Sequence, residues 1–225
     1  DVAAVQAARI PALVNFITTG GYYTTGDGGG AVYARIGAAA PGSIQSLDGQ
    51  FWGIRLGTQA DLRQFGARLD GAADDSTALE AACQACAGMQ LNFRGICRTT
   101  RRIDLTAPLT INGVSTFTNG FYSVTPVNVT QGSWFLFDHS SEGFRLFRNA
   151  TLQTSVGYLF TNCGSYRNQP SPGAGIAPYV PLNHQWDILV TDCDVTIANY
   201  MLLNATRGIR LVQGTSGRIT VNGLR

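Results

Sequence analysis

A chain of 225 residues with 44% apolar side chains is long enough to bury a real core, as one domain or two small ones, which excludes a disordered tail. Glycine at 27 residues, aromatics at 10% and charged residues at 13% describe a chain of strands and turns, kept soluble mostly by Thr, Ser, Asn and Gln. The net charge is only +2, and the arginines are dispersed with just Arg101 and Arg102 adjacent, so there is no phosphate-binding stripe and nucleic acid is excluded as a partner.

In chain order, residues 2–9 (VAAVQAAR) carry apolar positions at helical spacing and Pro11 ends the run, which predicts a short helix able to pack against copies of itself. Val14 to Ile17 and Ala31 to Ile36 predict two strands around GGYYTTGDGGG, a loop whose glycines permit tight turns. Another strand is expected over Gln50 to Leu56. Leu62 to Ala67 (LRQFGA) reads as a strand too, followed by a loop and a helix over about 76–87. Asp74, Asp75 and Ser76 stand where N-capping oxygens are wanted, Glu80 suits the early helix, and Gly88 follows its end.

Five cysteines at irregular spacing (Cys83, Cys86, Cys97, Cys163, Cys193) indicate reduced buried thiols rather than a disulfide framework. The CxxC of Cys83 and Cys86 lacks the βαβ setting of a redox motif and the further ligands of a zinc site, so it reads as two small helix residues; no metal and no cofactor is expected.

From Leu91 onward short apolar strands alternate with Asn, Gly, Ser and Thr: Leu109 to Ile111, Trp134 to Phe137, Phe144 to Phe147, Tyr158 to Phe160, Ile188 to Val190, Val195 to Ile197, Met201 to Leu203, Ile209 to Val212 and Ile219 to Val221. That spacing suits a β-sandwich or a β-solenoid. The strands at 208–212 and 217–221, parted by one Gly-Thr-Ser turn, favour the solenoid, and at ~20–25 residues per coil residues 103–225 would supply roughly five rungs. The stretch from Asn168 to Asn183 holds four prolines and reads as a surface excursion from a rung.

No apolar run approaches the roughly 20 residues that span a bilayer, and no secretory leader is visible, so no membrane insertion is expected. The chain starts without Met, which suggests a processed end or a fragment. All 16 basic residues are Arg, a bias pointing to a GC-rich bacterial host in which the sequons at Asn128, Asn149 and Asn204 are chance.

Three segments in order carry a family likeness: GYYTTGDGGGAVYARI at Gly21 to Ile36, DGQFWGI at Asp48 to Ile54, and LRQFGARLDGAADDSTALEAA at Leu62 to Ala82. Over about residues 13–87 the chain resembles the N-terminal region of phage tailspikes and capsule depolymerases of the pectate-lyase-like superfamily. The resemblance implies an all-β fold: a right-handed parallel β-helix with a small N-terminal β-rich anchoring domain and an N-terminal capping helix. It implies a virion-anchoring domain over 1–60, the start of the β-helix over 61–225, and a homotrimer on the surface of a phage or phage-like particle assembled in the bacterial cytoplasm. The implied partners are virion structural proteins, capsid or tail, and bacterial surface polysaccharide. A capping helix has a physical reason, because the first rung of a solenoid exposes unpaired backbone and an open core. The same need at Arg225 predicts that chain or a partner continues there.

Glycan hydrolysis would need two carboxylates about 5–10 Å apart in a groove. Asp70, Asp74 and Asp75 read as turn and cap residues. Asp192 and Asp194 would share one side of a strand, with Asp187 one short strand earlier. Asp138, His139 and Glu142 follow the aromatic strand and could supply an acid, a base and, in Trp134, a sugar platform; His184 and Trp186 are further glycan-binding candidates. No HG dipeptide or NTD tripeptide of the polygalacturonase kind is present, so no catalytic set carries over. Three functions therefore stand: a polysaccharide-binding spike, a polysaccharide lyase or glycoside hydrolase with its catalytic residues on later rungs, and a purely structural foot.

Overall fold

Asp1 accepts the Ala4 N–H at 2.8 Å and so starts α1 (Val2–Gln6), which ends short of the expected residue 9 because the chain must turn to bring Ile10 and Val14 onto the same core. These elements belong to a computed structural model that describes residues 1–114, 132–147, 157–167, 184–203, 205, 207–212 and 217–224. The proline-rich stretch 168–183, the three sequon asparagines, the Gly-Thr-Ser turn at 214–216 and Arg225 lie outside the described residues.

Four antiparallel strands follow: β1 (Phe16–Thr18), β2 (Val32–Ile36), β3 (Ile44–Gln45) and β4 (Phe51–Ile54), in the order β1-β2-β4-β3. One face carries Ile17, Tyr33, Ile44 and Trp52, which close over Val2 to make a small core. The Trp52 indole donates to Ser46 Oγ at 3.0 Å, so its one polar atom is satisfied in burial. Arg35 stacks on that indole at 4.8 Å while its guanidinium donates to the carbonyls of Pro11 and Val14 and to Gln50 Oε1.

The expected strand at Leu62 to Ala67 is instead a 3-10 helix, Leu62–Phe65. Asp61 and Gln64 form a reciprocal capping box across it, and Gly66 ends it in the left-handed region at φ 90°; local polar bonding outweighs the apolar pattern. The helix α2 (Ser76–Ala85) is where it was expected, slightly shorter, with Cys86 rather than Gly88 as its C-cap. Asp74 accepts from the Ser76 N–H and hydroxyl, but Asp75 does not cap. Asp75 is buried and accepts the N–H groups of Arg68 and Leu69, which holds Leu69 at φ 57°.

The remaining strands are parallel and fall into three ladders. The first joins β5 (Gln59–Asp61), β6 (Gln90–Asn92), β9 (Thr110–Asn112), the start of β12 (Tyr158–Arg167), the start of β14 (Val195–Leu203) and β16 (Ile219–Leu224). The second joins β7 (Gly95–Thr99), β10 (Ser133–Phe137) and the later halves of β12 and β14. The third joins β8 (Ile103–Leu105), β11 (Phe144–Phe147), β13 (Ile188–Thr191) and β15 (Ile209–Val212). Successive passes of the chain meet the ladders in this fixed order. The register advances by 31 residues from Gln59 to Gln90, 20 to Thr110, 49 to Leu159, 37 to Thr196 and 24 to Thr220, so only the second and last of these passes have the expected length.

Alternate residues of all three ladders enter one core. Phe160 from the first ladder, Phe135 from the second and Phe144 from the third meet there: Phe144 lies 4.8 Å from Phe135 and 5.3 Å from Phe160 between ring centroids. From α2, Leu79, Ala82, Cys83 and Cys86 pack onto the same core. All five cysteines are free thiols; burial pushes the Cys83 thiol up, and Cys86 to about 11, which leaves both protonated and inert at neutral pH. Among the described residues no helix is long and apolar enough to cross a membrane.

Candidate functional site

The turn after β10 and the stretch before β13 stack directly on one another. Gln185 N–H donates to the Ser140 carbonyl at 2.8 Å and Gly143 N–H to that of Trp186 at 3.0 Å, so the Asp138-His139-Glu142 cluster and the His184-Trp186-Asp187 group share one corner of the fold. Asp192 and Asp194 do not join it. They sit in the turn between β13 and β14, not along a strand, and Asp192 has φ 53°, so the shared-face spacing does not hold.

At the shared corner each carboxylate already has a cation. Arg98 binds Asp138 through Nε at 2.9 Å and Nη2 at 2.6 Å. Glu142 faces Arg102 at 3.6 Å, and Arg102 is held mainly by Asp104 at 2.7 Å. Asp187 is fully buried, accepting from Arg167 Nε at 2.7 Å and from the Ser165 hydroxyl at 2.8 Å. Burial raises the Asp187 pKa and Arg167 opposes it. Arg167 also donates to the carbonyls of His139, Ser141 and Gln185 and lies over the Phe137 ring at 4.9 Å, so the pair is a satisfied internal tie. The His139 pKa falls to about 4 through burial and the nearby Arg167 charge, and Thr99 Oγ1 lies 3.4 Å from its Nε2. That imidazole is neutral at physiological pH.

Of the other candidates, Trp134 is buried against Met201, Ile96 and Tyr166, His184 is buried with Nδ1 2.6 Å from the Gln185 carbonyl, and Asp194 lies 3.8 Å from Arg218. Trp186 remains partly exposed under Arg210, whose guanidinium is 5.6 Å from the ring centre. A hydrolase needs one carboxyl free to hold a proton and one free to attack or to activate water; Asp138, Glu142 and Asp187 are each ion-paired to an arginine.

A pocket of about 250 Å³ opens where the N-terminal sheet meets the parallel ladders, lined by Tyr22, Tyr23, Thr24, Asp27, Arg63 and Arg68 among others. It is the place where two of the sequence segments lock together. Asp27 accepts the N–H groups of Tyr22, Tyr23, Thr24 and Gly29 at 2.7–3.0 Å and folds the GYYTTGDGGG loop around its carboxylate. The loop then grips the 3-10 helix: Tyr23 donates its hydroxyl to the Gly66 carbonyl at 2.6 Å, and Gln64 donates to that of Gly30 at 3.2 Å. Arg68 stacks on Tyr23 at 4.1 Å. The glycines of this loop mark turns in the sequence, but nothing there marks Asp27 as the residue that organises a joint.

No known family's sequence profile matches the chain, and no curated protein matches it. Solved structures do. The crystal structure of tailspike protein gp49 from Acinetobacter baumannii bacteriophage Fri1, a capsular polysaccharide depolymerase, superposes with a TM-score of 0.62 at 14% identity over 99% of this chain and 41% of that one. Full-length tailspike protein 2 from Escherichia coli O157:H7 bacteriophage CAB120 matches with a TM-score of 0.48 at 12% identity over 99% of this chain and 32% of that one. The chain therefore spans less than half the length of either, and what it shares with the first, at that identity, is a tailspike-like fold.

Proposed function

We propose that the chain is the N-terminal part of a spike on a phage or phage-like particle. Residues 1–60 root it in the virion, residues 61–225 begin a right-handed parallel β-helix, and three copies form the spike that attaches to bacterial surface polysaccharide. The observation that carries the reading is the three parallel ladders met in fixed order around one core, where Phe135, Phe144 and Phe160 touch. The strong preference of parallel crossovers for one hand supports a right-handed coil. The fold likeness to a tailspike over the whole chain supports the setting. A trimer is supported by the outer face of the N-terminal sheet, where Phe16 is 61% and Val32 42% exposed.

A depolymerase is the second reading, favoured by the activity given for the Acinetobacter phage protein. It requires carboxylates other than the ion-paired and buried ones above. The test is a high-resolution cryo-EM map of assembled particles. Density for three β-helical chains entering the particle through residues 1–60 is the expected result; a monomeric chain away from the particle, or a closed β-sandwich, overturns the reading.

A further inference from the structure

The outward face of the third ladder combines features that the internal packing leaves unused. In β11, β13 and β15 the buried residues Phe144, Leu146, Ile188 and Val190 point inward, so Arg145, Leu189 and Arg210, which stand opposite one another in register, line the outside. Two ladder steps separate the arginines, about 10 Å. Each guanidinium lies over an aromatic ring: Arg145 over Phe147 at 4.5 Å and Arg210 over Trp186 at 5.6 Å. Neither makes an ion pair among the described residues, and Arg145 Nε is buried without an acceptor. The nearest carboxylate in the column, Asp104, stands opposite Arg145 but is taken by Arg102, which also faces Glu142.

We propose that this face binds an acidic polysaccharide, with Arg145 and Arg210 taking carboxylates on separate sugar residues and Leu189 covering the apolar edge of the chain between them. The inference rests on the spike reading and adds the charge class and the place of binding. A planar guanidinium stacked on a ring is pre-oriented, so it binds a carboxylate through its two-pronged fork at little entropic cost. A neutral glycan has no use for two unpaired cations at this spacing.

The experiment measures binding of the full chain to alginate, a polyuronate, and to neutral dextran, by calorimetry at low and high salt. Expected are binding to alginate and not to dextran, weakening as salt screens the charges, and a loss of about tenfold for Arg210→Gln, the exposed position where folding is not at risk. Arg145→Lys, which keeps the charge and removes the fork, also weakens it. Equal binding to both polymers, no binding to alginate, or binding unchanged by Arg210→Gln overturns the proposal. None of these outcomes touches the spike reading, which stands or falls with the particle map.

Discussion

The sequence offers Asp187 as a catalytic candidate, and burial changes its meaning. A carboxylate with no exposed surface, held by Arg167 and Ser165, is an internal tie between the second and third ladders. Asp187→Ala leaves the Arg167 cation buried and uncompensated, at an expected cost of about 3–5 kcal/mol, whereas Arg167→Met with Asp187→Leu removes both charges and costs far less. Urea unfolding of the single and double variants measures the contrast. Asp27 makes the complementary point on the surface. Burial pushes its pKa up, but four backbone N–H bonds outweigh that and hold it at about 2; Asp74 is held at about 2 in the same way by Ser76 and Thr100. Because both folded values lie below the unfolded one, their stabilisation is complete above about pH 4 and is lost as pH falls toward about 2. Asp75, raised by burial, works in the opposite sense and offsets part of it. Urea midpoints across that window should fall in the parent and fall less in Asp27→Asn, which has no carboxylate at that position to protonate.

Between residues and the whole chain lies a feature that apolar periodicity does not encode. Asn92, Asn112, Asn162 and Asn199 form a ladder along the corner between the first and second parallel ladders: each side-chain amide donates to the one before it, at 2.9, 3.2 and 3.2 Å. Asn162 and Asn199 sit at φ 55° and 54°, and Gly223 takes the same left-handed conformation one pass later at φ 72°. Asparagine tolerates that region and its amide satisfies its neighbours, so one residue type both bends the strand and ties successive passes. Asn162→Ala loses both ladder bonds and strains the backbone, for an expected loss of about 2 kcal/mol; Asn162→Gly keeps the bend, loses only the bonds and should cost about half of that. Chemical denaturation of the pair separates the two contributions. The corner also explains what was legible. Strands at Trp134 to Phe137, Phe144 to Phe147 and Ile188 to Val190 were visible because their side chains face a core. The turns within β12 and β14 read as strand ends because nothing apolar marks a left-handed asparagine, and Leu62 to Ala67 reads as a strand from its apolar pattern, which the capping box of the 3-10 helix Leu62–Phe65 outweighs. Four asparagines recurring just after short apolar strands were the available signal.

At the scale of the molecule, two cores meet at one joint. The N-terminal core around Tyr33 and Trp52 and the larger core of the parallel ladders share Ile54 as a partly buried neighbour. The GYYTTGDGGG loop, clamped by Asp27, adds polar bonds from Tyr23 and Gln64. Gly66 is the tight point: its backbone is left-handed, and a Cβ there would come within 2.6 Å of the Tyr22 ring. Gly66→Ala must therefore displace the Tyr22 ring, which packs on Tyr23 at 4.9 Å, and through it is expected to weaken the Tyr23 bond to the Gly66 carbonyl and loosen the loop from the 3-10 helix, while leaving both cores their own apolar contacts. A joint that couples two cores should unfold with them in one transition, and a loosened joint should let the smaller core melt first. Calorimetry of the parent is expected to give one endotherm, and of Gly66→Ala two, the first with the loss of near-ultraviolet signal from Trp52. A single endotherm merely shifted to lower temperature would mean that the apolar contact through Ile54, rather than the aspartate-organised loop, holds the two parts together.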